Sequence, residues 1–420
     1  MVAGCTVSTT ESGSLAAADG ERGGEPVATA AVSEEVAPET SLAPRREADE
    51  PRPSEAPNTV DDPDDSDDSD RATTTTEAPL TGWDATDAHL RRRLIGNGDR
   101  AASFAISIDG EIVHRAAWGV RSFDESDQTE PSDRFRIASI SKTISAITML
   151  QLVEDGLVGL DDPVGGLVAA SLGVEAAPGG AADITVRQLL SHTSGFSQFE
   201  NLFFGGQVGS CREAAAAGFA RGLQGVPGTG FRYSNMNYCV VGLLIEILTE
   251  TSYEHAVYER LLTPLGISGM RLAPTHDPGP DEVEHRSVLG RNYMEVLGGA
   301  GAWVATPTVL VTILDSLDST KPGWKPLEEA TLAVMQTSIN DPLVPDRGYG
   351  LGLILYGGGA YGHTGTVEST HAMVLDRDDG VTWALTVSGE HPSETSQLAG
   401  IVDDALVAGG FVPWAPPQLD

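Results

Sequence analysis

Hydrophobic and polar positions change their rhythm twice along this chain. The stretch ASFAISIDGEIVHRAAWG, residues 102–119, sets two short apolar runs around Asp109-Gly110, and that spacing predicts a β-hairpin. Next comes SISKTISAITMLQLVEDG, where Ile140, Ile144, Ile147 and Leu150, with Ala, Met and Val between them, cover most of a helix. Such a helix should be buried nearly all round. Helical stretches continue through ITVRQLLSH, NYCVVGLLIEILTETS and SYEHAVYERLLTPLG, broken by loops rich in Gly and Pro. The rhythm then returns to strands in YGLGLILYGG, AYGHTG and STHAMVLDRDDGVTWALTVSG, before SETSQLAGIVDDALVAGG reads as a closing helix.

Strands at both ends with helices between them predict an α+β fold. One antiparallel sheet would be built from both ends of the domain and flanked by helices, with an all-helical region inserted. No internal repeat of fixed period breaks this pattern.

Composition adds a boundary. Residues 1–82 contain no Phe, Trp or Tyr, and carry 19 acidic against 5 basic side chains, including the run DDPDDSDDSD. That segment cannot bury enough apolar surface to offset the entropy of ordering, so it is expected to be a disordered acidic tether, with one folded domain over 83–412. The run Asp61 to Asp70 lacks the central glycine and terminal glutamate of a calcium loop and reads as a solvated spacer. A formal charge of -35 on 420 residues argues against nucleic acid and against an anionic membrane surface as electrostatic partners.

Candidate chemistry begins with RIASISKTISA, residues 136–146. Only three of the 26 basic residues are lysines (Lys142, Lys321 and Lys325), and lysine, unlike arginine, gives up its proton when desolvated. Three residues apart on a helix, Ser139 and Lys142 share a face, and the helix start favours an oxyanion. Taken alone, such a pair is usually an N-cap serine followed by a snorkelling lysine. PGTGFRYSNMNY, residues 227–238, adds the Tyr233 phenol as a proton carrier and the Asn235 amide as a partner for a carbonyl. AYGHTGTVES, residues 360–369, reads as an edge strand where backbone can approach a ligand, with room left by Gly365 and an N–H from Thr366 to pair with that of Ser139 as an oxyanion hole. An ordinary helix entry and a surface hairpin are the bland readings of these two stretches. Nine histidines fall singly, without metal-ligand spacing, so neither a metal nor a cofactor is expected.

The order Ser-x-x-Lys, Tyr-Ser-Asn, His-Thr-Gly resembles the serine penicillin-recognising enzymes: class C β-lactamases, secreted D-alanyl-D-alanine carboxypeptidases and related esterases. FRIASISK, DDPV, ITVRQLLSHTSGF, LTPLGISGM, GAGAWVATPTVL and GYGLGL look like further landmarks of that group, over roughly residues 85–410. The resemblance implies a β-lactamase/transpeptidase-like fold, Ser139 as acylated nucleophile, Lys142 assisting its deprotonation and Tyr233 relaying protons to the leaving group. Asn235 would hold the acyl side chain, His363 would take the third motif's basic position, and Thr364 would meet the substrate carboxylate. It further implies a small-molecule or peptidoglycan-peptide substrate and acylation by β-lactams.

His-Thr-Gly looks more like the carboxypeptidase branch than like class C β-lactamases, so a D-alanyl-D-alanine carboxypeptidase-like peptidase is the leading expectation. A β-lactamase, an esterase and a non-hydrolytic penicillin-sensing module are the alternatives. Against the leading reading, Ile354 and Leu355 stand where the carboxypeptidases tend to carry arginine; Arg291 is a candidate replacement. The opening residues MVAGC resemble a lipobox that would lipidate Cys5, against chance as the alternative. An extracytoplasmic place, secreted or anchored through that lipid, follows from the same reading, with no other tie to the membrane. Cys211 and Cys239 then remain as a candidate disulfide, Cys239 being otherwise a buried thiol.

Overall fold

The computed structural model describes residues 80–339 and 347–412. Cys5, the acidic run and nearly all of the expected tether lie outside the described residues.

The predicted hairpin is present as β1 (Ala101–Ile108) and β2 (Glu111–Gly119). Asp109 and Gly110 at its tip have φ of 50° and 80°, the two left-handed positions of a type I′ turn. Short strands β3 (Phe135–Arg136), β4 (Arg271–Leu272) and β5 (Trp303–Ala305) form a separate three-stranded sheet in the order β3-β5-β4. After them come β6 (Arg347–Tyr349), β7 (Ile354–Tyr356), β8 (Tyr361–Val367), β9 (Thr370–Asp376) and β10 (Val381–Ser388).

The main sheet has seven strands in the order β2-β1-β10-β9-β8-β7-β6, and every neighbouring pair is antiparallel. The N-terminal hairpin therefore pairs with the last strand, as the apolar rhythm predicted.

Helix α1 (Gly82–Arg93) precedes the hairpin and α2 (Ser141–Glu154) follows it. The inserted helical region contains α3 (Gly165–Ser171), α4 (Val186–Leu190), α5 (Glu200–Phe204), α6 (Cys211–Arg221), α7 (Asn235–Thr249), α8 (Tyr253–Val257) and α9 (Tyr293–Leu297). Helices α10 (Pro307–Asp315) and α11 (Glu329–Met335) lead back to the sheet, and α12 (Leu398–Ala408) closes the fold.

The sheet has an apolar layer on each face. Phe104, Trp383, Leu385 and Val387 pack against Leu90 of α1 and Ile401, Val402 and Ala405 of α12. The opposite face contributes Ala105, Ala372, Val374 and Ala384 to a larger core shared with α2, α7 and α10. Each large apolar side chain so removed from water contributes about 1.5–3 kcal/mol. Every residue of α2 from Ser141 to Leu152 is buried, so the helix bearing Lys142 is packed on all sides.

Under the sheet, Lys321 is enclosed by carboxylates. Its Nζ lies 2.8 Å from Asp315 Oδ1 and contacts Asp376 and Thr382. The sulfurs of Cys211 and Cys239 are 2.11 Å apart, joining the start of α6 to the middle of α7. Among the described residues, no helix is long and apolar enough to cross a membrane.

Candidate active site

Ser139 lies in a single 3₁₀ turn, Ala138–Ile140, directly before α2. Ala138 has φ of 45°, a left-handed conformation that costs a residue with a Cβ about 1–2 kcal/mol. The turn is held from the side by β8. A Cβ added to Gly365 would fall 2.1 Å from the Ile137 carbonyl oxygen and 3.1 Å from the Ala138 Cβ, so only glycine lets the strand pass this close. Gly365 and the adjoining Thr366 backbone are thereby set against the serine turn.

The edge-strand expectation for AYGHTG needs a correction. By order β8 is interior, between β9 and β7, but β7 pairs with it only at Tyr361 and Gly362. Because β7 is three residues long, the segment from His363 to Val367 keeps a long pairing with β9 alone.

Lys142 has no exposed surface. Its Nζ lies 2.9 Å from Ser139 Oγ, 2.9 Å from Asn235 Oδ1 and 2.8 Å from the Ala300 carbonyl oxygen. No carboxylate takes part in these contacts. Burial pushes its pKa well below the ordinary lysine value, since a low-dielectric environment disfavours the ammonium. As a free amine, Lys142 keeps two N–H groups, which match Asn235 Oδ1 and the Ala300 carbonyl. Its lone pair then faces the Ser139 hydroxyl, the geometry a general base requires.

Asn235 is the first residue of α7, behind the N-cap Ser234, whose hydroxyl accepts from the Met236 N–H. With its Oδ1 taken by Lys142, its Nδ2 is the group that can meet a substrate carbonyl. The Tyr233 ring centre lies 5.0 Å from Lys142 Nζ. Burial pushes the phenol up above the ordinary tyrosine range, while a hydrogen bond with Ser139 acts in the opposite sense. A phenol so raised is a proton carrier and a poor phenolate base.

His363 does not supply the positive charge expected at its position. It is 1% exposed, and burial pulls its pKa down to about 3. Its Nδ1 donates to the Thr364 carbonyl at 2.6 Å, so its Nε2 accepts from the Tyr349 hydroxyl at 3.1 Å. Thr364 is half-buried and Thr366 exposed, with the Thr366 hydroxyl 2.5 Å from that of Thr395. Arg291, the candidate carboxylate donor, is ion-paired with Glu368. Ile354 and Leu355 lie in β7. A cavity of about 710 Å³ opens beside Tyr233, and Phe199, Phe231, Leu223, Arg221 and Arg232 line it.

Ser139, Lys142, Tyr233 and Asn235 are thus brought together, with His363 and Gly365 alongside. Sequence reasoning assigned no role to His192, Tyr238 or Tyr349, although all three lie in quoted landmark stretches. His192 and Tyr349 pack on the Tyr233 ring, at centre distances of 4.3 and 6.3 Å. A single histidine in a Ser-Thr-Gly turn carries no signal of that contact.

The family model for Beta-lactamase matches residues 86–407. This chain belongs to that family. Penicillin-binding protein 4 of Amycolatopsis lactamdurans is 27% identical over 291 residues, covering 63% of this chain and 74% of that protein. Protein flp of Staphylococcus aureus (strain MW2) is 28% identical over 167 residues, 39% of this chain but only 33% of its own length. Among solved structures, SurE with D-Leu is 28% identical with a TM-score of 0.63, covering 80% of this chain and 78% of that one. D-amino acid amidase of Ochrobactrum anthropi SV3, complexed with L-phenylalanine amide, shares the fold at 23% identity and a TM-score of 0.63, over 77% and 98% of the two chains. Members of this β-lactamase-related family are serine hydrolases, and the antiparallel sheet with its helical insertion is their fold.

Proposed function

We propose that this chain is a cell-envelope peptidase that forms an acyl-enzyme on Ser139 and acts, like the D-alanyl-D-alanine carboxypeptidases, on peptides ending in D-amino acids. The observation that carries the reading is the Lys142 amine, sealed from water 2.9 Å from Ser139 Oγ with two neutral acceptors for its remaining hydrogens.

In the first step Lys142 takes the Ser139 proton as Oγ bonds to the scissile carbonyl carbon. The oxyanion is received by the backbone N–H groups of Ser139 and Thr366, and Asn235 Nδ2 holds the acyl side chain. As the C–N bond breaks, Tyr233 gives its hydroxyl proton to the departing nitrogen and regains one from the Lys142 ammonium. Water then attacks the ester, its proton passes to the same base, and Ser139 departs reprotonated.

Tyr233 must lie beside the leaving group, so the adjoining cavity with Arg221 and Arg232 is where a terminal carboxylate finds positive charge. Thr364, which does not line that cavity, is the residue the family resemblance offers for the same carboxylate. A neutral His363 and a paired Arg291 favour a second reading, in which the enzyme prefers D-aminoacyl amides or esters that release an uncharged group. Penicillin-binding relatives support extracytoplasmic work and acylation by β-lactams.

Intact-mass measurement after benzylpenicillin treatment tests the acyl-enzyme: one adduct per wild-type chain and none on Ser139→Ala is expected. An adduct on the Ser139→Ala chain would overturn the assignment. A panel of D-Ala-D-Ala peptides, their C-terminal amides, short-chain esters and a chromogenic cephalosporin then separates the substrates. Peptides with a free carboxylate should have the highest kcat/KM; faster amides or esters would establish the second reading. Rapid cephalosporin turnover would mark a β-lactamase, and a single acylation with no turnover of any substrate a sensor.

A further inference from the structure

We infer that His192 is a positioning residue that clamps the backbone on both sides of Tyr233 and so aims its hydroxyl at the leaving group. The inference rests on the acyl-transfer reading above. His192 is fully buried in the turn after α4, with φ of 59°. Its carbonyl oxygen accepts the N–H of Arg232 at 2.8 Å, and its Nδ1 accepts the N–H of Ser234 at 3.2 Å. One residue thus holds the positions immediately before and after Tyr233. The ring itself packs on the Tyr233 ring with centres 4.3 Å apart.

The clamp has its own support. Asn237 Nδ2 also donates to His192 Nδ1, at 2.9 Å, and Asn237 Oδ1 accepts from the Ser194 hydroxyl at 2.5 Å. The Ser234 hydroxyl donates to the Ser197 carbonyl at 2.6 Å. Two N–H donors converge on Nδ1, so that nitrogen carries no proton and Nε2 carries it; Nε2 is buried without a partner among the described residues. Burial holds the imidazole pKa well below its ordinary value. The ring is therefore a permanent neutral acceptor. Its hydrogen bonds go to the backbone around Tyr233 and to Asn237 rather than to Ser139 or Lys142, so its effect on the chemistry passes through Tyr233.

A displacement of Tyr233 by about 1 Å is enough to cost ~100-fold in rate. That cost falls only on a reaction in which Tyr233 must protonate the departing atom. An amide nitrogen needs the proton, whereas a p-nitrophenolate leaves without one.

The test compares full-length wild type, His192→Leu, His192→Asn and Tyr233→Phe on two substrates with the same D-Ala acyl group, one an anilide and one a p-nitrophenyl ester. Asparagine places an acceptor oxygen where Nδ1 stood; leucine fills the volume without one. His192→Leu should lower kcat/KM for the anilide about 100-fold and for the ester no more than about threefold, the pattern of Tyr233→Phe. His192→Asn should restore the anilide to within about fivefold of wild type. Equal losses on both substrates, or an asparagine variant as slow on the anilide as leucine, would overturn the inference. If the leucine variant does not fold, His192→Gln, whose acceptor sits one methylene too far, takes its place with the same expectation. Wild type inert on both substrates would refute the acyl-transfer reading; wild type active on both with an unchanged anilide-to-ester ratio in the variant refutes the clamp alone.

Discussion

Replacing Lys142 with methionine keeps most of the buried stem and removes the one group placed to deprotonate Ser139. General-base assistance is worth about 10²–10⁴ in rate, or about 2.7–5.5 kcal/mol of activation free energy. With the amine 2.9 Å from the serine oxygen, the acylation rate constant of Lys142→Met should fall by that factor. Stopped-flow fluorescence with a labelled penicillin, checked by intact mass, measures it directly.

Stability provides an independent readout. The folded chain disfavours the Lys142 proton, while the unfolded chain keeps it up to about the ordinary value of 10.5. Between the lowered folded pKa and 10.5, the unfolded state binds more protons, so wild-type stability rises with pH. The gain is about 1.4 kcal/mol for each unit the window spans. Lys142→Met should lose that slope whatever its absolute stability, as urea midpoints from pH 6 to about 9.5 would show. A variant acylated within about threefold of wild type, or an unchanged slope, would refute the assignment of a neutral lysine base.

Other expectations concern the frame around the site. Lys321→Met leaves Asp315 and Asp376 buried without their cation and should cost about 3–5 kcal/mol in urea unfolding, with penicillin acylation unchanged below the transition. The bridge between Cys211 and Cys239 closes 28 residues, so the double alanine variant should lose about 3.5 kcal/mol on loop-entropy grounds; equal urea midpoints under oxidising conditions would contradict it. His285 and His363 are both held down to about 3 by burial, and His192 well below its ordinary value. Each binds a proton more readily when unfolded, so stability falls as pH drops below 6.5, by about 2 kcal/mol at pH 5 for each of His285 and His363. Asp99 and Asp376, pushed up to about 6 by burial, titrate in the opposite sense and offset part of that loss. A urea midpoint that rose steadily from pH 7 to 5 would contradict the balance.

The apolar rhythm alone reported the hairpin, the buried helix and the return to strands, because burial acts residue by residue with a period set by the backbone. Spacing likewise placed Ser139 and Lys142 together, since three residues along a helix are neighbours by geometry. The order of motifs carried the family because each is a short local arrangement. What the tertiary structure decided are properties that depend on surroundings. His363 stands where a cation was expected, yet it is neutral, because strand β8 buries it against Tyr349. Arg291 is charged but answered by Glu368, 77 residues away in sequence. The grip of His192 on Tyr233 joins turns 41 residues apart, and no pattern in either stretch announces it. Residue type and spacing determine which groups are present; only the packing around them decides which are charged, which are engaged and which are free to act.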